Sequence, residues 1–152
     1  MEQLLAIFRP LFEAARGVDL SDPDAARAEL TRRFDPKSEA AQDLCRALEE
    51  RLEAGEIANR GAPPVRYGRV TKATDESLGF SIDVVVLSGA GPRHHHPEGE
   101  VNYCIALEGE PTFDSEEPGW VVKKPASTHV PTVAGGTMLI AYLLPGGAIE
   151  FL

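Results

Sequence analysis

The segment GPRHHHPEGEVNYCIAL, residues 91–107, joins a run of histidines to a β-rich stretch. In an extended backbone, side chains alternate between two faces, so His94 and His96 point one way and His95 points the other. Glu100 shares the parity of His94 and His96. Two imidazoles and a carboxylate on one face make half of a divalent-metal site. The alternative interpretation is a solvated loop that is rich in histidine.

A fourth metal ligand has to come from another part of the chain. The chain has four histidines, and the one outside the run is His129, in the segment GWVVKKPASTHV. It follows a predicted strand and a Pro/Ser turn. Its place at a strand end favours His129 as the fourth ligand, although the position alone does not decide this.

Composition and charge limit the classes of function. The chain has 152 residues, of which 43% are hydrophobic and 26% are charged, as in an ordinary soluble domain. Its formal net charge of −9 argues against nucleic acid or an anionic membrane surface as the main partner. A small anionic ligand remains compatible, because local arginines can dominate a pocket. No apolar run reaches the roughly 18 residues of a membrane span.

The beginning of the sequence and the cysteines predict a cytoplasmic setting. The segment MEQLLAIFRPLFEAARG has an acidic residue at position 2 and lacks the basic lead-in and cleavage site of a secretory signal. Cys45 and Cys104 form no C-x-x-C pair. We expect both thiols to be reduced, although the sequence leaves a disulfide open.

Two parts with different patterns divide the chain. Residues 1–58 predict a helical region, and residues 59–152 predict a β-barrel, because short β-rich runs alternate there with Gly/Pro turns. We expect the helical region to pack on the barrel or on a second subunit. The predicted strands are VRYGRV (65–70), FSIDVVVL (80–87), EVNYCIAL (100–107), GWVVKK (119–124) and TMLIAYLL (137–144).

Three helices are predicted in the N-terminal part. Apolar residues at helical spacing mark the first, and Pro10 predicts a kink or a restart within it. Ser21 or Asp22 is expected to cap the second helix. Asp35 is expected to cap the third, which Gly55 would end.

Two motifs resemble those of the cupin superfamily. His94, His96 and Glu100 match the first motif, and GWVVKKPASTH, residues 119–129, matches the second. Over most of the chain, and most strongly over 66–151, the sequence resembles the 4-hydroxylaminobenzoate lyase family. The resemblance implies a mainly β fold, a cupin-type double-stranded β-helix or jelly-roll barrel, with an N-terminal α-helical region.

The resemblance also implies an activity. Such a lyase converts 4-hydroxylaminobenzoate and water to protocatechuate and ammonia in nitroaromatic degradation. A divalent transition metal held by His94, His96, Glu100 and His129 would polarise the hydroxylamine oxygen or activate water. Iron, manganese, zinc and nickel all suit these ligands. Without a metal, the histidines would serve as general acid and base.

The carboxylate of a small aromatic acid needs a cationic anchor, for which the candidates are Arg66, Arg69 and Arg93. Strand parity allows at most one of Arg66 and Arg69 to face the cavity. Asn102 shares the parity of Glu100 and is a further candidate for substrate binding. Aromatic residues on strands usually belong to the core, so we expect at most one of these to contact substrate: Phe80, Trp120 and Tyr142.

Two other functions remain open. One is a metal-dependent cupin dioxygenase or isomerase acting on another aromatic acid, which oxygen demand would distinguish. The other is a non-catalytic cupin that binds a metal or small molecule. We expect a homodimer, in which the helical region would form subunit contacts or a lid over the barrel.

Overall fold

The computed structural model describes residues 2–152, so Met1, the first residue of the predicted helical region, lies outside it. Over the described residues, three helices are followed by nine strands. The helices are α1 (Glu2–Ala15), α2 (Pro23–Arg33) and α3 (Glu39–Glu53). The strands are β1 (Arg60–Ala62), β2 (Val65–Thr71), β3 (Phe80–Leu87), β4 (His94–His96), β5 (Glu100–Phe113), β6 (Gly119–Lys123), β7 (Ser127–His129), β8 (Val133–Pro145) and β9 (Glu150–Phe151).

Capping side chains mark where α2 and α3 begin. Asp22 caps α2, one of the two predicted possibilities. The prediction that Asp35 caps α3 is wrong, because Ser38 accepts the hydrogen bond from the backbone N–H of Ala41. Asp35 instead accepts a hydrogen bond from the backbone N–H of Lys37, within the preceding turn. Aspartate and serine are both good caps, so their local preferences alone did not choose between them.

The interior of α1 and the end of α3 test two further predictions. A restart at Pro10 is wrong, since α1 continues through it. Gly55 follows the last residues of α3 with φ of 74°, a left-handed conformation that glycine adopts readily. The N–H of Gly55 donates to the carbonyl of Leu52, and the N–H of Glu56 donates to that of Arg51. This pair of bonds is the Schellman ending of a helix, and it confirms the prediction that α3 ends at Gly55.

The described strands form two antiparallel sheets. The larger has the order β1-β2-β3-β8-β5-β6, and the smaller has the order β7-β4-β9. This arrangement confirms the mainly β, cupin-type jelly roll with an N-terminal helical region. None of the helices within residues 2–152 is long and apolar enough to cross a membrane.

One face of the larger sheet packs against the helices in a shared apolar core. The indole N–H of Trp120 on β6 donates to the carbonyl of Phe34, just after α2, at 2.8 Å. The Phe34 ring also makes edge contacts with Tyr103 and Trp120. The helical region therefore packs on the barrel. The proposed boundary at residue 58 separates two kinds of secondary structure that share one core.

The opposite face of the larger sheet carries a polar row. Arg69, Asp83, Tyr142 and Asn102 are successive partners on β2, β3, β8 and β5. Their side chains therefore share a face. The ring of Tyr142 lies 6.4 Å from the ring of His94 on the smaller sheet, measured between centroids. This face is the one that looks toward the histidines.

Candidate metal centre

Pairing of two three-residue strands brings distant histidines together. His94 on β4 lies opposite His129 on β7. A tight turn, closed by a hydrogen bond from the Gly99 N–H to the His96 carbonyl at 3.2 Å, then leads into β5. Gly99 has φ of 88°, and a Cβ there would lie 3.0 Å from a backbone oxygen of β6, so the turn requires glycine. The turn returns Glu100 to the two imidazoles.

The four side chains converge on one point. The Nε2 atom of His94 lies 3.0 Å from Glu100 Oε1 and 2.9 Å from the Nε2 atom of His129. The Nε2 atom of His129 lies 3.3 Å from Glu100 Oε2. With His96 included, one ligand atom from each residue lies within 4.8 Å of the others. His94, His96 and Glu100 are buried, and His129 is nearly so.

The other nitrogen of each imidazole has an oxygen partner. Nδ1 of His94 lies 3.2 Å from the carbonyl oxygen of Pro92, and Nδ1 of His96 lies 3.0 Å from Oγ of Ser127. A carbonyl oxygen only accepts, and the Ser127 hydroxyl donates elsewhere, so each Nδ1 carries the proton. With the proton kept on Nδ1, Nε2 is the nitrogen that faces the cluster and would bind a metal.

These residues fit a divalent ion. Ligand atoms about 2.0–2.2 Å from a common ion lie roughly 3 Å apart, close to the separations among His94, Glu100 and His129. Nε2 of His96 is buried and has no hydrogen-bond partner among the described residues. An unpartnered buried nitrogen is costly unless something binds it. Three imidazoles and a carboxylate suit iron, manganese, zinc or nickel, so the chemistry of the set does not select one ion.

The cluster holds its carboxylate ionised. Burial by itself raises the pKa of Glu100, but hydrogen bonds from His129 and His94 outweigh it, and the pKa lies below its ordinary value. Burial lowers the pKa of His96, while the charge of Glu100 acts in the opposite direction. The site therefore combines a carboxylate anion with a neutral imidazole at His96, the protonation states in which both bind metals.

Asp114 supports the cluster and was missed by the sequence analysis. It lies in the β5–β6 turn, and its Oδ2 accepts a hydrogen bond from Nδ1 of His129 at 2.6 Å. Lys123 Nζ lies 2.9 Å from the same oxygen, and the N–H of Thr132 donates to Oδ1. Burial raises the pKa of Asp114, but these partners outweigh it and keep the pKa low. In sequence, Asp114 precedes SEEPG and looks like an ordinary turn residue.

A cavity of about 750 Å³ reaches the cluster at His94. This volume lies in the range of small-molecule sites. Of the three aromatic candidates, Tyr142 lines the cavity, whereas Phe80 and Trp120 belong to the core against the helices. Phe151 also lines the cavity, and its ring lies 5.9 Å from that of His94.

The three candidate arginines occupy different places. Arg69 lines the cavity and makes a two-pronged ion pair with Asp83, at 2.8 and 3.1 Å. Arg66 lies on the opposite face of β2 and does not line the cavity. Arg93 is exposed and also lies outside the cavity lining.

The remaining candidates divide between the cluster and its surroundings. Asn102 is fully buried, and its amide donates to Glu100 Oε2 at 2.9 Å, so it positions the carboxylate rather than lining the cavity. His95 turns away from the cluster and meets Thr128 Oγ1 at 2.8 Å. Cys104 is a free thiol buried in the apolar cluster beside the site.

Known proteins resemble this chain in fold and sequence. An RmlC-like cupin from Ralstonia eutropha JMP134 superimposes with a TM-score of 0.41 and 17% identity, over 56% of this chain and 58% of that one, less than two thirds of either. The strand order described above defines the fold independently of that partial overlap.

Sequence relatives match over more of their length. A 4-hydroxylaminobenzoate lyase of Nocardioides sp. (strain LMS-CY) is 28% identical, over 78% of this chain and 76% of the relative. A 4-hydroxylaminobenzoate lyase of Pseudomonas putida is 26% identical, over 80% of each. The family described as PnbB: 4-hydroxylaminobenzoate lyase matches residues 13–151. The chain therefore belongs to the 4-hydroxylaminobenzoate lyase family.

Proposed function

We propose that this protein is an ammonia-releasing lyase that converts 4-hydroxylaminobenzoate and water to protocatechuate and ammonia at a metal-centred cupin site. The observation that carries the proposal is the meeting of His94, His96, Glu100 and His129 at the end of a cavity of about 750 Å³. Two lyases of the same description, at 28% and 26% identity, support the choice of reaction.

The reaction defines what the site has to do. The N–O bond breaks, and its electron pair leaves with the oxygen, which takes up protons and departs as water. Water adds to the ring carbon adjacent to the one that bears the nitrogen. A second water replaces the nitrogen, which leaves as ammonia, and loss of a ring proton restores the aromatic ring. The nitrogen is reduced by two electrons and the ring is oxidised by two, so no external oxidant is needed.

The proposed ligands are His94, His96, Glu100 and His129. When bound, a divalent ion would act as a Lewis acid on the hydroxylamine oxygen and lower the pKa of water. The protein's own groups fix the arrangement: each Nδ1 is held by an oxygen acceptor, and Asn102 holds Glu100. Preorganised groups of this kind need little rearrangement during the reaction.

Arg69 is the best supported of the three proposed carboxylate anchors, because Arg66 and Arg93 do not line the cavity. Asp83, which fixes the Arg69 guanidinium, lies two strands from Asn102 in the polar row. At about 4.8 Å per strand this is roughly 10 Å, a span that a benzene ring with groups at opposite ends can bridge. The ring would then lie beside Tyr142, and the hydroxylamine would face His94.

The test is turnover of 4-hydroxylaminobenzoate by tag-free protein of measured metal content, under argon. Protocatechuate and ammonia should appear in equal amounts without oxygen. A dioxygenase, the alternative that shares this ligand set, would stop under argon. If metal-loaded protein forms neither product, with or without oxygen, the lyase proposal is wrong.

Two expectations from the sequence stay predictions. A cytoplasmic location would be measured by cell fractionation, and a homodimer by light scattering of the purified protein. Neither is needed for the chemistry proposed here, because the described cluster and the cavity lie within one chain.

A further inference from the structure

The charged residues that line the cavity are not all neutralised. They are Glu56, Arg60, Arg69 and Asp83. Glu56 pairs with Arg51 at 3.3 Å, and Arg69 pairs with Asp83. Arg60 is exposed, and among residues 3–152, whose side chains the structure describes, it makes no ion pair and no side-chain hydrogen bond. The cavity wall therefore carries one uncompensated positive charge, on a residue that the sequence analysis did not consider.

Strand register puts Arg60 near Arg69. Arg60 on β1 lies directly opposite Tyr67 on β2, and Tyr67 is two residues before Arg69 on the same face. Such diagonal neighbours lie about 7–8 Å apart, within reach of long side chains. Both arginines and Tyr67 line the same cavity. The two guanidinium groups can therefore approach one ligand from neighbouring strands.

We propose that Arg60 binds the carboxylate of a small aromatic acid, together with Arg69. The ion pair with Asp83 cancels the charge of Arg69, which leaves it as an oriented donor. Arg60 supplies the net positive charge. A chain of formal charge −9 otherwise repels an anionic ligand, so this local cation favours its entry. The inference rests on the proposed function for the identity of the ligand.

A binding experiment tests the carboxylate contact separately from turnover. Protocatechuate and catechol share the two hydroxyl groups, and only protocatechuate has the carboxylate. Calorimetry would measure both with wild-type protein and with Arg60→Gln. We expect Arg60→Gln to weaken protocatechuate binding about tenfold, the size of one partly solvated charge-assisted hydrogen bond, and to leave catechol unchanged.

Two further variants make the result specific. Arg66→Gln removes the same charge from the neighbouring strand but outside the cavity, and should leave both affinities unchanged. Arg60→Lys keeps the charge and should recover part of the protocatechuate affinity. Thermal unfolding of each variant would check that the fold is retained.

The outcomes separate this inference from the proposed reaction. If Arg60→Gln weakens both ligands equally or neither, or if the wild-type protein does not prefer protocatechuate to catechol, Arg60 is not a carboxylate contact. If the preference depends on Arg60 but 4-hydroxylaminobenzoate is not converted, the contact stands and the proposed lyase activity fails. Where turnover occurs, Arg60→Gln should raise KM and leave kcat nearly unchanged.

Discussion

Asp114 accepts a hydrogen bond from Nδ1 of His129, the ring nitrogen that faces away from the cluster of His94, His96 and Glu100. The distance from Asp114 Oδ2 to His129 Nδ1 is 2.6 Å, while the other nitrogen of the ring faces Glu100. A carboxylate behind a histidine ligand fixes the ring's tautomer and orientation and raises its basicity. Asp114 has φ of 48°, an uncommon conformation for a residue other than glycine. The turn therefore holds Asp114 in an uncommon backbone conformation at the position where its carboxylate accepts the hydrogen bond from His129.

Asp114→Asn should weaken metal binding without unfolding the turn. Asparagine tolerates positive φ and has nearly the same shape, but it lacks the charge that supports His129. Loss of such a supporting partner typically costs about 10–100-fold in metal affinity. Competition with a chromogenic chelator would measure it. Glu116→Gln is the matched control, since Glu116 lies in the same turn and pairs with Arg27 instead. Equal affinities for the two variants would contradict this role of Asp114.

Three of the four histidines, His95, His96 and His129, should respond differently to substitution by alanine. His96→Ala and His129→Ala should each abolish turnover and metal retention together, because each removes a proposed ligand from the buried cluster. His95→Ala should be milder, since His95 meets Thr128 away from the cluster. Elemental analysis beside the turnover assay measures both properties. The strand-parity argument would be wrong if His95→Ala proved the most damaging of the three.

The stability of the metal-free protein should depend on the protonation of His129. Burial lowers the pKa of His129, but hydrogen bonds to Asp114 and Glu100 outweigh it and raise the pKa to about 9. Because this exceeds the ordinary value of 6.5, protonation favours the folded state. The contribution is complete below about pH 6.5 and is lost as the pH rises through about 9.

Chelator-treated protein should therefore have a lower Tm above pH 9 than at pH 6. In His129→Gln the part of this slope that belongs to the imidazole should disappear. Calorimetry of both proteins across this range makes the comparison. Parallel curves of Tm against pH would show that His129 is not the group responsible.

Trp120→Phe should destabilise the contact between the helices and the barrel. Trp120 is 1% exposed, and its indole N–H donates to the Phe34 carbonyl. Removing the donor leaves a buried carbonyl unpaired, which costs about 1–3 kcal/mol, with lost packing added. Urea unfolding would measure the change. Tyr67→Phe, which removes a hydroxyl from a half-exposed ring, should have little effect.

The same unfolding curves test the proposed boundary at residue 58. Because the helices and the sheet share one core, a single transition should shift as a whole. Two transitions, of which Trp120→Phe moves only one, would show instead that the helical region unfolds as a separate unit.

The local pattern of the sequence was sufficient to predict most of the long helices and strands and the face on which their side chains lie. The alternation that begins at Glu100 gave Asn102 the same parity as Glu100, and in the structure the Asn102 amide donates to Glu100. Side-chain alternation is a property of the backbone itself, so a strand of eight residues reveals it without any partner. The histidines could be grouped as candidates for the same reason, because His94 and His96 share a parity.

Tertiary structure decided the rest. Strands β4 and β7 have three residues each, too few to show a period, and they became strands by pairing His94 with His129 across the fold. Asp114 and Arg60 look like a turn residue and a surface arginine in sequence. Spacing along the chain fixes only which way a side chain points. The register between strands and the loops joining them fix what it meets, and these placed Asp114 behind His129 and Arg60 beside Arg69.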